Sequence, residues 1–358
     1  MRKMLILVAV FVLDPTQCVG ENAPKHTYET VRIAEGITAF IASESNTDIV
    51  SGNSVAIVGD NGVLVVDSTN FPSQARQMID EIKRMTNEPV RFVVHTHWHL
   101  DHLMGDAAYR AAFPGVIFVS TAATKKAIVE RDPKYLKFAD FGPKYAADLR
   151  KQLREGKDEE GKPLTDADRK YLTDFANSVD FAIGEFKQAT LVAPDLTFDH
   201  DLTINLGRRE VEVLFLGRGN TGGDAVIFVP DSKVVMAGDL LVFPTPYSYG
   251  SYLTEWIQTL AKVKALGASV IVPGHGPVEH DYSYLDLVSS LLQSVVTQVQ
   301  QAESQGLKLE DVRKKVDLST FEKRFVGDDH DRRVAFRSGF TQPAVERAYQ
   351  EAKFGDEE

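Results

Sequence analysis

The chain has almost no cysteine: a single Cys18 in 358 residues. One thiol makes no internal disulfide and cannot anchor a thiolate metal cluster. Positive charge is also short. There are 40 Lys and Arg against 51 Asp and Glu, a formal net charge of −11. A nucleic-acid partner requires a basic surface, so none is expected. Long apolar runs are missing as well. The ten residues Met4 to Leu13 are too few to span a bilayer, and no stable membrane insertion is expected. No internal repeat and no low-complexity tract is present. What remains, 43% hydrophobic and 25% charged residues, is the composition of a globular protein. The length allows one large core, or a core with an appended domain.

The N-terminus reads as an address. Arg2 and Lys3 precede the apolar run, and Cys18-Val19-Gly20 offers small residues for cleavage. The expectation is a signal peptide over residues 1–20 and a periplasmic or secreted protein. An ordinary N-terminal helix is the alternative, since Asp14 and Pro15 interrupt the pattern. Pro15-Thr16-Gln17 before Cys18 is a poor lipid-attachment signal. Cleavage after Gly20 would leave no thiol for nucleophilic or metal chemistry.

Downstream, strand and helix patterns alternate. Ser54 to Gly59 and Val63 to Asp67 read as strands joined by a turn at Asp60-Asn61-Gly62, and Gln74 to Met85 has helical periodicity. Val90 to Val94 and Val116 to Val119 read as strands, with helices from Leu103 to Ala112 and from about Thr121. Short strands follow at Leu202–Asn205, Val211–Phe215, Ala225–Val229, Lys233–Met236 and Ser269–Val272, with a helix over Leu253–Leu266. Periodicity alone gives an α/β protein. Residues from about 133 to 190 read as a charged helical insertion, with helices over Pro143–Gly156 and Thr165–Gln188; Thr165 and Asp168 are placed for an N-terminal cap. The insertion is either a lid or scaffold packing. Residues 281–358 read as a helical extension. Its apolar stripe, Leu285, Leu287, Val288, Leu291, Leu292, Val295 and Val299, is core or a homodimer face.

The densest chemistry is His95-Thr96-His97-Trp98-His99-Leu100-Asp101-His102, four of the chain's nine histidines in eight residues. It lies on a strand-to-helix turn, where side chains can converge. Imidazoles and a carboxylate at this density suit a transition-metal site. The spacing His-x-His-x-Asp-His fits one register: His97, His99, Asp101 and His102. His95 falls outside it and reads as structural.

This motif resembles that of the metallo-β-lactamase superfamily. Two later segments extend the resemblance: Val235-Met236-Ala237-Gly238-Asp239 and Ile271-Val272-Pro273-Gly274-His275-Gly276-Pro277, each a strand ending in a ligand-type residue. The resemblance runs from about Val50 to about His280. It implies a four-layer αβ/βα sandwich over residues 27–280. It also implies a first metal at His97 and His99, a second at Asp101, His102 and His275, and Asp239 bridging them. Asn220, in Leu216-Gly217-Arg218-Gly219-Asn220-Thr221-Gly222-Gly223-Asp224, stands where the family usually carries a histidine. An amide oxygen is a poorer zinc ligand than imidazole, so the expectation is one tight Zn²⁺ and a second, weaker one. Asp67, at a strand end, reads as support for the ligands.

The resemblance implies a hydrolase. Zinc lowers the pKa of bound water toward about 7 and polarises a carbonyl; Asp101 would orient the water or carry its proton. The expected substrate is a small ester or amide, with β-lactams included. Gly250-Ser251-Tyr252 and Glu255-Trp256 add a likeness to periplasmic members of unassigned substrate. A glyoxalase-type thioester hydrolase and a metal-binding accessory protein with a degenerate site are the alternatives. The acidic balance disfavours the superfamily's RNA-processing nucleases. Leu240 to Gly250, with two prolines and three aromatics, reads either as a stiff pocket wall or as a buried connection, and Trp98 as a further candidate for the site lining.

Overall fold

The computed structural model describes residues 28–43, 50–131, 138–158 and 161–355. The signal-peptide segment and Cys18 lie outside the described residues. Two sheets face each other. The first has the order β1(Tyr28–Ala34), β2(Ile37–Ala42), β3(Ser54–Gly59), β4(Gly62–Val66), β5(Val90–Val94), β6(Ile117–Thr121), β7(Leu196–Phe198). It is antiparallel through β4 and parallel from β4 to β7. The second has the order β12(Val270–His275), β11(Val234–Val242), β10(Val226–Val229), β9(Arg209–Leu214), β8(Asp201–Leu206), with only β11 and β12 parallel.

Alternating apolar residues explain the stacking. Ile37, Ile57, Leu64 and Val94 from one sheet pack against Ile204, Val213, Ile227 and Met236 from the other. The opposite face of the first sheet is covered by α1(Pro72–Met85), whose Ala75, Met78, Ile79 and Ile82 follow helical spacing. The opposite face of the second sheet packs on α6(Leu253–Ala265) and α7(Ser283–Ser304). Helix, sheet, sheet and helix make the expected four-layer sandwich.

Several elements differ from the sequence reading. The helix expected over Leu103–Ala112 begins only at Asp106, as α2(Asp106–Ala112), after a separate 3₁₀ turn at Leu100–His102. The break lets Asp101 and His102 turn toward the site. β12 ends on His275, while β11 runs on past Asp239 to Val242 because it continues to pair beyond irregularities in register. β1, β2 and β7 were not legible as strands; β1 is half exposed and lacks clean alternation, and β7 has three residues. The insertion's first helix, α4(Phe138–Glu155), carries Pro143 inside it instead of starting there. Its partner α5(Asp166–Phe186) has the expected cap: Thr165 Oγ1 accepts from Asp168 N, and the Asp168 carboxylate accepts from Thr165 N. The two helices share a small core of Ala146, Leu149, Leu172, Ala176, Val179 and Ile183.

The tail does not stand apart. Leu285, Val288, Leu291, Leu292, Val295 and Val299 are buried with the second sheet and α6, so this stripe is core and not a dimer face. In α11(Gln342–Phe354), Glu351 accepts from Leu253 N at 2.8 Å and Thr254 N at 3.1 Å, capping α6 from 97 residues away. Among the described residues no helix is long and apolar enough to cross a membrane.

Candidate metal centre

Both sheets present strand ends at one rim. β5 leads into His95 to His102, β4 into Asp67, β11 contains Asp239, and β12 ends on His275. Backbone bonds fasten the rim: Ala225 N donates to Thr96 O at 2.7 Å, Gly52 N to Asp101 O at 3.0 Å, and Asn53 N to Gly274 O at 2.7 Å. Two glycines are required by close approach. A Cβ on Gly52 would stand 2.4 Å from the His102 ring, and one on Gly274 would stand 2.0 Å from Asp239 Oδ1.

The six expected ligands converge. Asp239 Oδ2 lies 3.3 Å from His97 Nε2 and 3.5 Å from His99 Nδ1. Its other oxygen, Oδ1, lies 3.3 Å from His102 Nε2 and 3.4 Å from His275 Nε2. Asp101 Oδ2 is 3.1 Å from His275 Nε2 and 3.7 Å from His102 Nε2. One carboxylate therefore faces two imidazole pairs, one through each oxygen. The groups close enough to share an ion are His97, His102 and Asp239, and Asp101, His102 and His275. His102 belongs to both, which is tighter than the one-site role the motif assigned it.

Asp67 organises the other side of the imidazoles. Its Oδ2 lies 2.8 Å from His102 Nδ1 and accepts from Thr96 Oγ1 at 2.7 Å, while Oδ1 accepts from Thr96 N at 2.8 Å. The Thr96 hydroxyl, having donated to Asp67, is free to accept from His97 Nδ1 at 2.9 Å. Both rings then carry their proton on Nδ1 and keep Nε2 for the shared space. Asp67 holds this position with a left-handed backbone, φ 55°, and Ser54 Oγ donates to its carbonyl. His95 sits elsewhere: it is buried, with Nε2 3.1 Å from Asp106 Oδ1, and joins neither ligand group.

The residues fit a metal. His97 Nε2 and Asp239 Oδ1 are buried with no hydrogen-bond partner, an arrangement that costs free energy unless something fills the space. Burial pushes His97 down to about 4, against the pull of Asp239. Burial also opposes charge on His275, but Asp239 and Asp101 outweigh it and hold that imidazole up at about 9. His102 is raised too, against burial, by Asp239, Asp101 and Asp67. Despite burial, the imidazoles His275, His97 and His102 hold Asp239 well below the usual carboxylate range. The carboxylates thus call for positive charge at a point where His102 Nε2 and His275 Nε2 are 3.2 Å apart. A cation there would satisfy that demand and let both imidazoles serve as neutral ligands.

Asn220 is fully buried. Its Nδ2 donates to Tyr247 O at 2.6 Å, and its Oδ1 has no partner. The amide therefore keeps an oxygen to offer, as a weak ligand requires. Asn53 was missed by the sequence reading. Its Nδ2 donates to Pro273 O at 3.0 Å and Gly276 O at 2.9 Å, bracketing His275, while Oδ1 accepts from Ala42 N at 3.0 Å. No local pattern marks it, because the two carbonyls that its amide bonds lie more than 200 residues away.

Above these groups opens a cavity of about 970 Å³, bordered by His99, Asp101, Asp239 and His275. Trp98, Val242 at the end of β11, and the segment after it, from Phe243 to Tyr247 and at Tyr249, line it, which makes that segment a wall. The insertion contributes Tyr171 and Phe186, and the tail Arg332, Ala335, Ser338 and Gly339.

A family model described as the metallo-beta-lactamase superfamily matches residues 47–275. A linear primary-alkylsulfatase from Pseudomonas sp. is 24% identical over 234 residues, 62% of this chain and 40% of its own length. The chain therefore spans about two fifths of that relative. Among solved structures, a metallo-beta-lactamase from Pontibacter korlensis superposes with a TM-score of 0.52 at 21% identity, over 75% of this chain and 99% of its own. An inverting sec-alkylsulfatase from Pseudomonas sp. superposes with a TM-score of 0.63 at 16% identity, over 92% of this chain and 51% of its own.

Proposed function

The chain belongs to the metallo-beta-lactamase superfamily, and from that premise we propose that it is a zinc-dependent hydrolase of an ester or amide, β-lactams included. The observation that carries this reading is Asp239, whose two oxygens face His97 with His99 on one side and His102 with His275 on the other. His97, His99 and the Asn220 oxygen would hold the weaker ion; Asp101, His102 and His275 would hold the tighter one, with Asp239 between them. Bound zinc supplies Lewis acidity and a water of lowered pKa.

The chain's own residues do the rest. Asp101 is partly exposed at the cavity floor, hydrogen-bonded to His275, and is the group placed to orient a water and take its proton. Asp67 and Thr96 fix the rings so that no reorganisation is needed when substrate arrives. The substrate enters from the aromatic cavity. A sulfate ester is the second reading. The observation favouring it is coverage: the sec-alkylsulfatase fold extends over 92% of this chain, where the Pontibacter β-lactamase fold extends over 75%. We place the activity in the periplasm or outside the cell, on the strength of the first 20 residues.

Metal analysis after dialysis, paired with a hydrolase panel of β-lactam, lactone, thioester, sulfate ester and phosphate ester, tests the proposal. The expected result is one zinc retained, a second only at high free zinc, and turnover lost to chelator and restored by zinc. Metal binding without turnover of any class would instead mark an accessory protein.

A further inference from the structure

The cavity is larger than the reacting group of an ester needs. At about 970 Å³ it lies at the top of the range for small-molecule sites. Its character changes sharply from floor to wall. The floor is His99, Asp101, Asp239 and His275; the wall includes Trp98, Tyr171, Phe186, Phe243, Tyr247 and Tyr249. Arg332, on the tail side, is the one ammonium or guanidinium group among the lining residues.

Four large apolar side chains that line the cavity are open to solvent. Val50, Tyr171, Tyr247 and Tyr249 are 62%, 39%, 41% and 50% exposed, and all four line this cavity. A cluster of large apolar side chains left open to solvent around one site marks a binding surface. The aromatic surface is also continuous with a metal-ligand candidate. The Tyr247 ring meets the His99 ring edge-on at 6.2 Å, and Tyr249 stands 5.0 Å beyond Tyr247. The tail supports this arm: Ser248 N donates to Gly339 O at 3.0 Å, Ser248 Oγ to Phe340 O at 2.9 Å, and Tyr249 OH to Ser338 O at 3.0 Å. The acceptors belong to a π-helical turn, Phe336–Thr341, of a kind that recurs at functional sites.

We propose that the substrate carries a hydrocarbon chain. Its reacting group is held at the floor, and the chain lies against the aromatic wall built jointly by the segment after β11, the insertion and the tail. The proposal rests on the metal-hydrolase reading and adds to it the chemistry of the part of the substrate that does not react. A wall of aromatic faces gains affinity by removing apolar carbon from water, at about three- to fourfold per methylene when burial is complete.

The test uses the zinc-loaded full chain and a series of unbranched carboxylates from acetate to decanoate. The carboxylate serves as head group for the floor, so binding is read by calorimetry without any need for turnover. The expected result is one equivalent bound, with Kd falling severalfold for each pair of added methylenes. Tyr171→Ala and Tyr249→Ala should each flatten that slope. Both residues are exposed, so the variants should fold, and thermal melting confirms it. A Kd independent of chain length in protein that retains zinc overturns the proposal and leaves the hydrolase reading standing. A slope unchanged in both variants also overturns it, because the chain would then lie elsewhere. Protein that retains no zinc defeats the metal-hydrolase reading, and this inference with it.

Discussion

At and beneath the floor of the cavity Asp239, His97 and His102 are 4%, 0% and 0% exposed, whereas on the wall Tyr171, Tyr247 and Tyr249 stand 39% to 50% open. Behind the floor the imidazoles are tied into one hydrogen-bond network. His102 and Thr96 converge on Asp67, Thr96 passes the restraint to His97, and Asn53 brackets the turn that bears His275. Such a network is rigid because any member that moves leaves a buried polar atom unpaired. The arm of the wall that bears Tyr247 and Tyr249 is held by hydrogen bonds to the tail, and both rings stay partly open to solvent. Chemistry needs the first arrangement and recognition of varied apolar groups tolerates the second. The same division follows the chain: every ligand candidate lies in the segment matched by the family model, while part of the cavity lining comes from the tail beyond it.

The largest effect should come from breaking the floor. Asp101→Ala and His275→Ala should each lower kcat/KM by about three orders of magnitude or more, since each removes a ligand candidate of the tighter site. His97→Ala should cost less, because on the proposed assignment it belongs to the weaker site, where Asn220 is the poorer ligand. Parallel kinetics at fixed free zinc, with circular dichroism to confirm folding, compare the three. Equal losses for His97→Ala and His275→Ala would show that both sites carry turnover.

Next in size is Asp67→Ala, which touches no substrate but releases His102 and Thr96 together. Zinc affinity should fall by about 10- to 100-fold, measured by competition with a chromophoric chelator. An unchanged affinity would mean that the packed rings hold their orientation without the carboxylate.

A smaller effect is expected at the back of the wall. Ser248→Ala removes the donor to Phe340 O, and stability should drop by about 1 kcal/mol in denaturant unfolding. KM should rise severalfold with kcat within about twofold, the signature of a binding wall. A fall in kcat with KM unchanged would instead join Ser248 to the floor through the Tyr247 carbonyl that holds Asn220.

The smallest concerns Asp224, beneath Asn220. Burial lifts its carboxyl to about 7, against hydrogen bonds from Thr221 and Gly219. Its folded pKa lies above the ordinary value of 3.8, so the folded state favours the protonated form. Its contribution to stability is complete below about pH 4 and is lost as pH rises through about 7. Asp224→Asn should abolish this dependence, seen as a difference of about 2–4 °C in Tm between variant and parent across that window. A parallel pair of Tm profiles would show that Asp224 stays ionised in the fold.

The candidate residues of the floor were the most legible part of the sequence. Ligand residues need fixed chemistry, and His97, His99, Asp101 and His102 lie close enough together for spacing to betray them. Asp239 and His275 were legible because each ends a short apolar strand in Gly-Asp or Gly-His. Asn220 stood out only against the resemblance. The sandwich was legible from its alternating strands, while β1 and β7 escaped because half-exposed or three-residue strands leave little periodicity, and β2 because burial on both faces removes the alternation. Tertiary structure alone decided the rest. Whether the insertion forms a lid or scaffold packing was open in the sequence, and the fold sets Tyr171 and Phe186 against the cavity. The apolar stripe from Leu285 to Val299 could have served a dimer or the core, and packing against α6 and the second sheet assigned it to the core. Asn53 and Glu351 do their work across 223 and 98 residues of chain. Periodicity reports which face of an element is apolar, but the partner that covers that face, or the distant backbone that a buried polar group must satisfy, is fixed only when the layers close.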